Sequence, residues 1–323
     1  MGHFLLFNFI LQSTKLIGVF ACAIFFSFPG MLMADSTDVT LKINEAYVEA
    51  TPEQGQAYIS DVGRTMIPLR LVSESLGYTT QWQKDGSINI SSEDKTIDVT
   101  LQVGSLAYST NNETGQFSTA PTLKDDRTYL PARDFSELYG SIYWEGSSRT
   151  VWIYQDTKVS YSVLGNELLR ANAEEIVPLV MPEGYEVSSL GKPDQVLAHR
   201  TINGEDYVAI NYNMNHSLRC PLFRDEGTSM SFLTTISGSS SFWVEDNVVY
   251  HTGGTSAGPW TNSINPNNLY VTTLSEIGEQ TKTYELDFAI NECTLTMENG
   301  TLIATDLDGN RHEIDVAALT QSK

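Results

Sequence analysis

The strongest constraint on the fold is an internal repeat in the first half of the chain. The segment GRTMIPLRLVSESLGYTTQW, from Gly63 to Trp82, returns as DRTYLPARDFSELYGSIYW, from Asp126 to Trp144. Such a repeat predicts two copies of one supersecondary unit. The recurring positions singled out as a structural repeat are Arg64, Pro68, Arg70, Glu74, Gly77 and Trp82 in the first copy and Arg127, Pro131, Arg133, Glu137, Gly140 and Trp144 in the second.

Each copy is predicted to contain strands, a short helix and a hairpin. A proline suits the first turn of a helix, where the missing N–H is not needed, and a glycine suits the residue after the helix, where φ is positive. Pro68 and Gly77 frame about two helical turns in this way. The flanking stretch Ile97–Leu101 alternates as strands do, and Asp85-Gly86 marks a tight turn. These signals predict an α+β domain.

The charged and aromatic repeat positions are predicted to be scaffold. Arg70 and Glu74 stand four residues apart, as do Arg133 and Glu137, so each pair lies on one helix face. The repeated tryptophan is expected in the core.

The repeated pattern R-T-x-x-P-x-R-x-x-S-E-x-x-G followed by W resembles the copper amine oxidase N-terminal (stalk) domain family. The resemblance covers roughly Val39 to Tyr154. It implies an α+β stalk with a small twisted antiparallel sheet and short helices in two repeats. It also implies an exported or cell-surface protein of a Gram-positive bacterium. In the oxidases this stalk is separate from the catalytic domain.

The catalytic part of such an oxidase is not visible in the sequence. The family's enzymes need a precursor tyrosine in an Asn-Tyr-Asp/Glu setting and three histidine ligands, two of them as His-x-His. The nearest string, Asn211–Asn213, lacks the acid, and His199, His216, His251 and His312 are isolated. Copper needs converging imidazoles. The resemblance therefore implies an interaction module without catalytic residues, metal or cofactor.

The amino terminus has the layout of a secretory signal peptide. Residues 1–34 contain a single charged residue, Lys15, ahead of the apolar run Leu16–Met33. A small residue, Ala34, stands at the expected cleavage point. An uncleaved membrane anchor and a lipoprotein signal around Cys22 are the alternatives. All three place the remaining chain outside the cytoplasm.

The second half reads as many short strands separated by turns such as Asn203-Gly204 and Asn299-Gly300. This pattern predicts an all-β domain, either a sandwich or a propeller-like arrangement. The predicted domain limits are 35–157 for the stalk, 158–182 for a linker with a possible short helix, and 183–323 for the β-rich domain.

A candidate ligand surface lies in the β-rich half, where four aromatic residues stand among Ser, Thr, Asn and Gly. Flat aromatic rings beside amide side chains suit a glycan or a peptide. These residues are Trp243, Tyr250, Trp260 and Tyr270.

Cysteine usage leaves two readings open. Cleavage of the signal segment would leave Cys220 and Cys293, and an even pair in an exported protein permits one disulfide. Two buried thiols are the alternative.

Charge narrows the range of partners. The chain has 323 residues and a formal net charge of −21. A charge of this sign argues against nucleic acid and against an anionic membrane surface. A membrane partner is expected only if the amino-terminal segment is retained.

The sequence therefore predicts an exported, non-catalytic protein whose stalk presents an acidic β-rich domain to a cell-wall or extracellular ligand. An extracellular hydrolase acting on wall glycan or peptide, with the stalk as its targeting module, is the alternative. Its paired carboxylates would be visible only in three dimensions.

Overall fold

The computed structural model is dominated by β-strands in several sheets, with few and short helices. The structure describes residues 38–111, 113–187, 196–210, 219–237, 241–253, 265–276 and 278–321. The β-rich class predicted for the chain is confirmed. The predicted signal segment lies outside the described residues, and the predicted domain limits stay predictions. None of the described helices is long and apolar enough to cross a bilayer.

Residues 38–154, called here the repeat region, combine short strands with short helices. In chain order its elements are β1 (Thr40–Ile43), β2 (Ala46–Val48), β3 (Tyr58–Ile59), β4 (Thr65–Pro68), α1 (Leu69–Ser75), β5 (Thr79–Trp82), β6 (Ser87–Ser91), β7 (Asp98–Gln102), β8 (Ala107–Thr110), β9 (Glu113–Gln116), β10 (Thr122–Lys124), β11 (Arg127–Pro131), a 3-10 helix (Ala132–Phe135), α2 (Ser136–Tyr139), β12 (Ser141–Glu145) and β13 (Thr150–Tyr154).

The rest of the described chain is a series of antiparallel strands ending in a short helix. Its elements are β14 (Ser160–Leu164), β15 (Glu167–Ala171), β16 (Ile176–Leu179), β17 (Val196–Ile202), β18 (Glu205–Ile210), β19 (Arg219–Asp225), β20 (Met230–Ser237), β21 (Phe242–Glu245), β22 (Val248–Thr252), β23 (Asn268–Ser275), β24 (Gly278–Glu285), β25 (Thr294–Glu298), β26 (Thr301–Thr305), β27 (Arg311–Ile314) and α3 (Val316–Gln321).

The repeated motifs meet through their own strands. β4 of the first copy pairs antiparallel with β11 of the second, and Ile67 lies opposite Leu130. These two residues are equivalent positions of the sequence repeat, so the pairing joins the copies at matching points. Both side chains are fully buried. The order of this sheet is β10-β11-β4-β3.

The chain leaves α1 as the sequence predicts. Gly77 has a φ of +85°, and its N–H donates to the carbonyl of Glu74, while the Tyr78 N–H donates to that of Ser73. This is the Schellman arrangement, which satisfies the last carbonyls of a helix and favours glycine at the left-handed position.

A single apolar core joins the two helices to the sheets of the repeat region. It is formed by residues such as Leu71, Val99, Phe135 and Val151. The prediction that the repeated tryptophans lie in this core is wrong. Trp82 is 45% exposed and Trp144 is 37% exposed, because each lies near the end of a strand at the margin of the apolar cluster.

The predicted short helix between the two halves is also wrong. Strands β14, β15 and β16 occupy residues 160–179 as a three-stranded sheet. The sequence there supports strands, since Tyr161, Val163, Leu168 and Leu169 are buried. Pairs across β14 and β15 hold these residues in register.

Strand β13 connects the repeat region to this sheet. Val151 and Ile153 point into the core of the repeat region, whereas Trp152 and Tyr154 pack with residues of β14 to β16 such as Leu169. Successive side chains of a strand point to opposite faces. β13 therefore has an apolar partner on each side, which explains its unbroken TVWIY sequence.

The same alternation continues along the chain. In β18, Val208 packs toward the sheet of β14 to β16, while Tyr207 and Ala209 pack toward the sheet of β21 to β24. In β22, Val249 packs in the core shared with β17 to β20, whereas Tyr250 packs in the core shared with β25 to β27. Consecutive sheets are thus packed face to face in chain order.

Of the two alternatives that the sequence leaves open for the cysteines, the disulfide is not formed. Cys220 and Cys293 are both buried thiols. They lie in different apolar clusters, Cys220 between the sheets of β17 to β20 and β21 to β24, and Cys293 beside β25. Their positions in separate cores explain the absence of the bond.

A buried polar link ties the sheet of β14 to β16 to the next sheet. Asp225 of β19 accepts hydrogen bonds from the Tyr161 hydroxyl at 2.5 Å and from Arg170 Nη1 at 3.1 Å. The Asp225 side chain is only 3% exposed. Burial, followed by the hydrogen bond to Asp225, holds the pKa of Tyr161 well above its usual value.

Removing the carboxylate should therefore destabilise the packing of these sheets. We expect Asp225→Ala to lower the free energy of unfolding by about 2 kcal/mol, because it leaves the buried Tyr161 hydroxyl without its acceptor and leaves Arg170, which is 20% exposed, with its contact to Glu175. Glu298→Ala is the matched control, since its pair with Arg311 is about half exposed and should contribute less than about 1 kcal/mol. Denaturant unfolding measures both; equal losses would contradict the assignment.

Candidate ligand-binding cleft in the repeat region

A small cleft lies where the two copies of the motif meet. Its volume is about 80 Å³. It brings together repeat positions of the first copy and the start of the second copy, which are more than forty residues apart in sequence. The lining residues are Glu53, Gln54, Pro68, Leu69, Arg70, Thr80, Trp82, Ile88, Asp126, Arg127 and Thr128.

Arg127 holds one wall of the cleft in place. Its guanidinium donates to the carbonyl oxygens of Pro52 at 2.5 Å, Glu53 at 2.8 Å and Asp125 at 2.7 Å. Gly55 allows this approach, because a Cβ there would come within 2.5 Å of the Arg127 side chain. Two of the five N–H donors of a guanidinium remain after these three bonds.

The other wall comes from β5 and its neighbour. Thr80 and Trp82 are two residues apart on β5 and therefore share a face of the sheet. Their partners on β6, Ile90 and Ile88, are fully buried. Trp82 thus rests at the margin of the core with 45% of its surface exposed, and it presents an apolar ring to the cleft.

Two threonines that line the cleft have hydroxyl groups without hydrogen-bond partners among the described residues. They are Thr80 Oγ1 and Thr128 Oγ1, and both atoms are inaccessible to solvent. Thr128 as a whole is only 8% exposed. Buried polar groups are almost always paired, and an unpaired one costs about 1–3 kcal/mol. Because solvent does not reach either atom, both hydroxyls are unpaired groups that lie behind the surface of the cleft.

The charges of the cleft are balanced in a strongly acidic chain. Two basic residues, Arg70 and Arg127, and two acidic residues, Glu53 and Asp126, line it together. Arg70 also forms the predicted i,i+4 contact with Glu74, at 3.9 Å and with both side chains about half exposed. An exposed pair of this length contributes little, so Arg70 can turn toward a ligand at small cost.

The second copy of the motif differs from the first in its contacts. Arg64, the counterpart of Arg127, has a buried Nη1 without a partner in the described part of the chain. Glu137, the counterpart of Glu74, accepts a hydrogen bond from the Tyr108 hydroxyl at 3.2 Å. The copies have therefore diverged around a common scaffold.

The aromatic residues predicted as a ligand surface do not share one surface. Trp243 and Tyr250 are direct cross-strand partners on one face of their sheet, and Tyr270 pairs with His251 on the opposite face. Tyr250 is buried at 8% exposure. Trp260 lies outside the described residues. A ligand role for these residues stays a prediction.

Among the described residues, no group of three or more His, Cys, Asp and Glu side chains is placed so that it could hold a metal ion. Of the four histidines considered in the sequence, His216 lies outside this part. His199 Nε2 contacts Asp206 at 2.9 Å, and His312 stacks on Phe288.

The sequence motif pointed to Arg70, Trp82 and Arg127 as scaffold, but not to the cleft between them. The sequence analysis did not single out Thr80 and Thr128 as residues that line this cleft. A signal for both exists, since Thr128 belongs to the repeated Arg-Thr pair and Thr80 stands at strand spacing before Trp82.

Comparison with known proteins finds a family match in this region. The copper amine oxidase N-terminal domain model matches residues 42–153 and 110–183. The resemblance read from the repeat is thus confirmed, and no catalytic domain family was found. The two matches overlap and together span residues 42–183. No curated protein matches the chain.

Solved structures show only weak likeness. Hydrazine synthase from Kuenenia stuttgartiensis matches with a TM-score of 0.33 and 10% identity, over 76% of this chain and 66% of that one. YjhT matches with a TM-score of 0.27 and 10% identity, over 71% of this chain and 70% of that one. This chain thus spans just under two thirds of the hydrazine synthase chain. Likeness at this level carries no argument about fold or function.

His251 gives a testable pH dependence. It is 3% exposed, and its ring stacks on Tyr270 at 5.1 Å between centroids. Burial lowers the pKa of His251 from 6.5 to about 4. Because the folded pKa lies below the unfolded one, stability is complete above pH 6.5 and falls as the pH drops toward 4.

We expect the free energy of unfolding to fall by about 2 kcal/mol more in the wild type than in His251→Gln between pH 7 and pH 4.5. Denaturant unfolding at the two pH values measures this difference. An identical loss in both proteins would show that His251 is not the group responsible.

Proposed function

We propose that this protein is an exported, non-catalytic binding protein of the cell envelope of a Gram-positive bacterium. Copper amine oxidase N-terminal domain repeats form its stalk and accompany an acidic β-rich region. The cleft between the two copies, with the exposed indole of Trp82 and the guanidinium groups of Arg70 and Arg127 in its lining, is the observation that best supports binding. Its expected partner is a cell-wall or extracellular ligand.

The absence of a catalytic domain family among the matches is compatible with this proposal. Two carboxylates of the β-rich region, the buried Asp225 and the partly exposed Asp206, are engaged with neighbouring side chains. Asp225 accepts from Tyr161 and Arg170, and Asp206 is bonded to His199 and Thr201. This arrangement gives the hydrolase alternative no specific support.

We further propose that the β-rich region is propeller-like. Supporting this are four successive antiparallel sheets of three or four strands, β14 to β16, β17 to β20, β21 to β24 and β25 to β27. Each is a meander of consecutive strands, and neighbouring sheets share apolar cores in chain order. The two repeat motifs of the stalk are proposed to be copies of one structural unit.

The proposed function predicts adsorption to the cell wall. Incubated with isolated Gram-positive walls and centrifuged, the purified protein should be enriched in the pellet, because the cleft or the β-rich region engages wall material. Bovine serum albumin, also an acidic protein, controls for trapping.

Two variants locate the binding region. Trp243→Ala combined with Trp260→Ala tests the aromatic residues of the β-rich region, and Trp82→Ala tests the cleft. Wild-type protein that stays in the supernatant would overturn the wall as partner.

A further inference from the structure

Strand β24 lies at the outer edge of the sheet β21-β22-β23-β24 in the β-rich region. We infer that this edge docks an extended polypeptide segment, which adds to the sheet as a further antiparallel strand. The segment carries basic side chains at both ends of seven residues. The edge shares no residue with the cleft of the repeat region, so this role goes beyond the proposed function and does not depend on the cleft.

The strand is long, regular and exposed. It has eight residues, each opposite a residue of β23, and all of them except Tyr284 are exposed. The other described edge strand of this length, β20, has a register shift in its ladder, and its Met230 N–H already donates to the Val180 carbonyl. A long, flat edge with unpaired backbone groups is a template for another strand.

Alternate residues of β24 direct their backbone groups away from β23. In an antiparallel ladder, pairs that exchange both hydrogen bonds alternate with pairs that exchange none. The Leu286 N–H donates to the carbonyl of Asn267, which continues the register of β24 with β23, so this pair is a bonded one. Counting back along the strand, the residues of β24 in non-bonded pairs are Glu285, Thr283, Thr281 and Glu279.

Two further contacts support this assignment. Leu274 lies opposite Glu279, yet its N–H donates to the carbonyl of Asn247, on the side of β22. The hydroxyls of Thr272 and Thr281, which also lie opposite each other, are 2.8 Å apart, and side chains approach most closely in non-bonded pairs. Each of the four outward residues of β24 therefore turns one N–H and one C=O toward the open edge.

The charges of β24 disfavour pairing with a second copy of itself. In an antiparallel pair, the outward residues of the two strands lie opposite one another. Glu279 and Glu285 are outward residues and Lys282 is not, so no such register places the lysine opposite either glutamate. Full overlap would set Glu279 opposite Glu285 and Lys282 opposite itself, and like charges directly opposite are destabilising. The occupant is therefore a different sequence.

The same charges state what the occupant must carry. Successive side chains of a strand alternate between the faces, so Glu279 and Glu285 lie on one face, six residues apart, and Lys282 lies on the other. A strand paired with this edge matches them with basic residues at its first and seventh positions and an acidic residue at its centre. Glu285 Oε1 accepts a hydrogen bond from Asn265 at 2.9 Å, and a carboxylate has capacity for more. The formal net charge of −21 also favours the approach of a basic segment.

The test is a nuclear magnetic resonance titration of the protein with the peptide Lys-Val-Thr-Glu-Thr-Val-Lys, acetylated and amidated at its ends. Its lysines lie opposite Glu285 and Glu279, and its glutamate lies opposite Lys282. On binding, we expect slower hydrogen exchange at the amides of the four outward residues. The amides of Gln280 and Tyr284 should be protected in the free protein already, because they are bonded to β23.

Three related peptides serve as matched controls. The charge-reversed peptide Glu-Val-Thr-Lys-Thr-Val-Glu should bind at least about tenfold more weakly, because three attractive cross-strand pairs become repulsive. N-methylation of the first threonine of the original peptide should weaken binding about tenfold, since that N–H faces β24 and its hydrogen bond is lost. N-methylation of the central glutamate, whose N–H faces away, should leave the affinity unchanged.

A protein variant tests the charges from the other side. Glu279→Gln combined with Glu285→Gln should remove most of the difference in affinity between the original and the charge-reversed peptide. Glu298→Gln, which changes an exposed carboxylate on β25, should retain the full difference. Thermal unfolding shows whether either variant is misfolded, and the peptide series with the wild type remains informative if one is.

Four outcomes would overturn the inference: no resonance shifts with the original peptide, equal affinity for the charge-reversed peptide, equal affinities of the two N-methylated peptides, or protection of amides other than those of the open edge. The proposed function is judged separately by the wall assay. A protein that pellets with walls but ignores the peptide keeps its envelope function and loses the docking edge. One that binds the peptide but not walls keeps the docking edge and loses the wall as partner.

Discussion

The pairing of β4 with β11 is the constraint on which the repeat region depends. It sets Ile67 against Leu130 at the centre of the core, so that the two copies of one motif meet at equivalent residues. Each strand leads directly into a short helix, and both helices pack on the same apolar cluster. Loss of this pairing would separate the two halves of the core together with the residues that line the cleft.

The cleft follows from that pairing and from the divergence of the copies. Arg127 is used to fix the loop around Glu53, whereas Arg64 at the equivalent position has an unpartnered nitrogen in the described structure. Exposed tryptophans occur in both copies, but Thr80 is matched by Ile142 in the second. The two copies thus share one scaffold but differ in the side chains they contribute around the cleft.

Local signals predicted what depends on local chemistry. The left-handed Gly77, the i,i+4 contact of Arg70 with Glu74 and the hairpin at Asp85-Gly86 all follow from backbone and helix geometry. The failures concern tertiary placement. Residues 165–175 read as a helix because Glu, Leu and Ala favour one, yet apolar sheets on both sides impose strands. The sequence predicted Trp82 to lie in the core, because a sequence pattern does not show where the apolar core ends.

The central claim is that the pairing of β4 with β11 joins the two copies of the motif, and a double-mutant cycle across that pair tests it most directly. The account predicts that Ile67→Ala and Leu130→Ala each lower the free energy of unfolding by about 2–5 kcal/mol, and that the double variant departs from the sum of the two by at least about 0.5 kcal/mol because the residues lie opposite each other. Losses that simply add, measured by denaturant unfolding, would contradict the account.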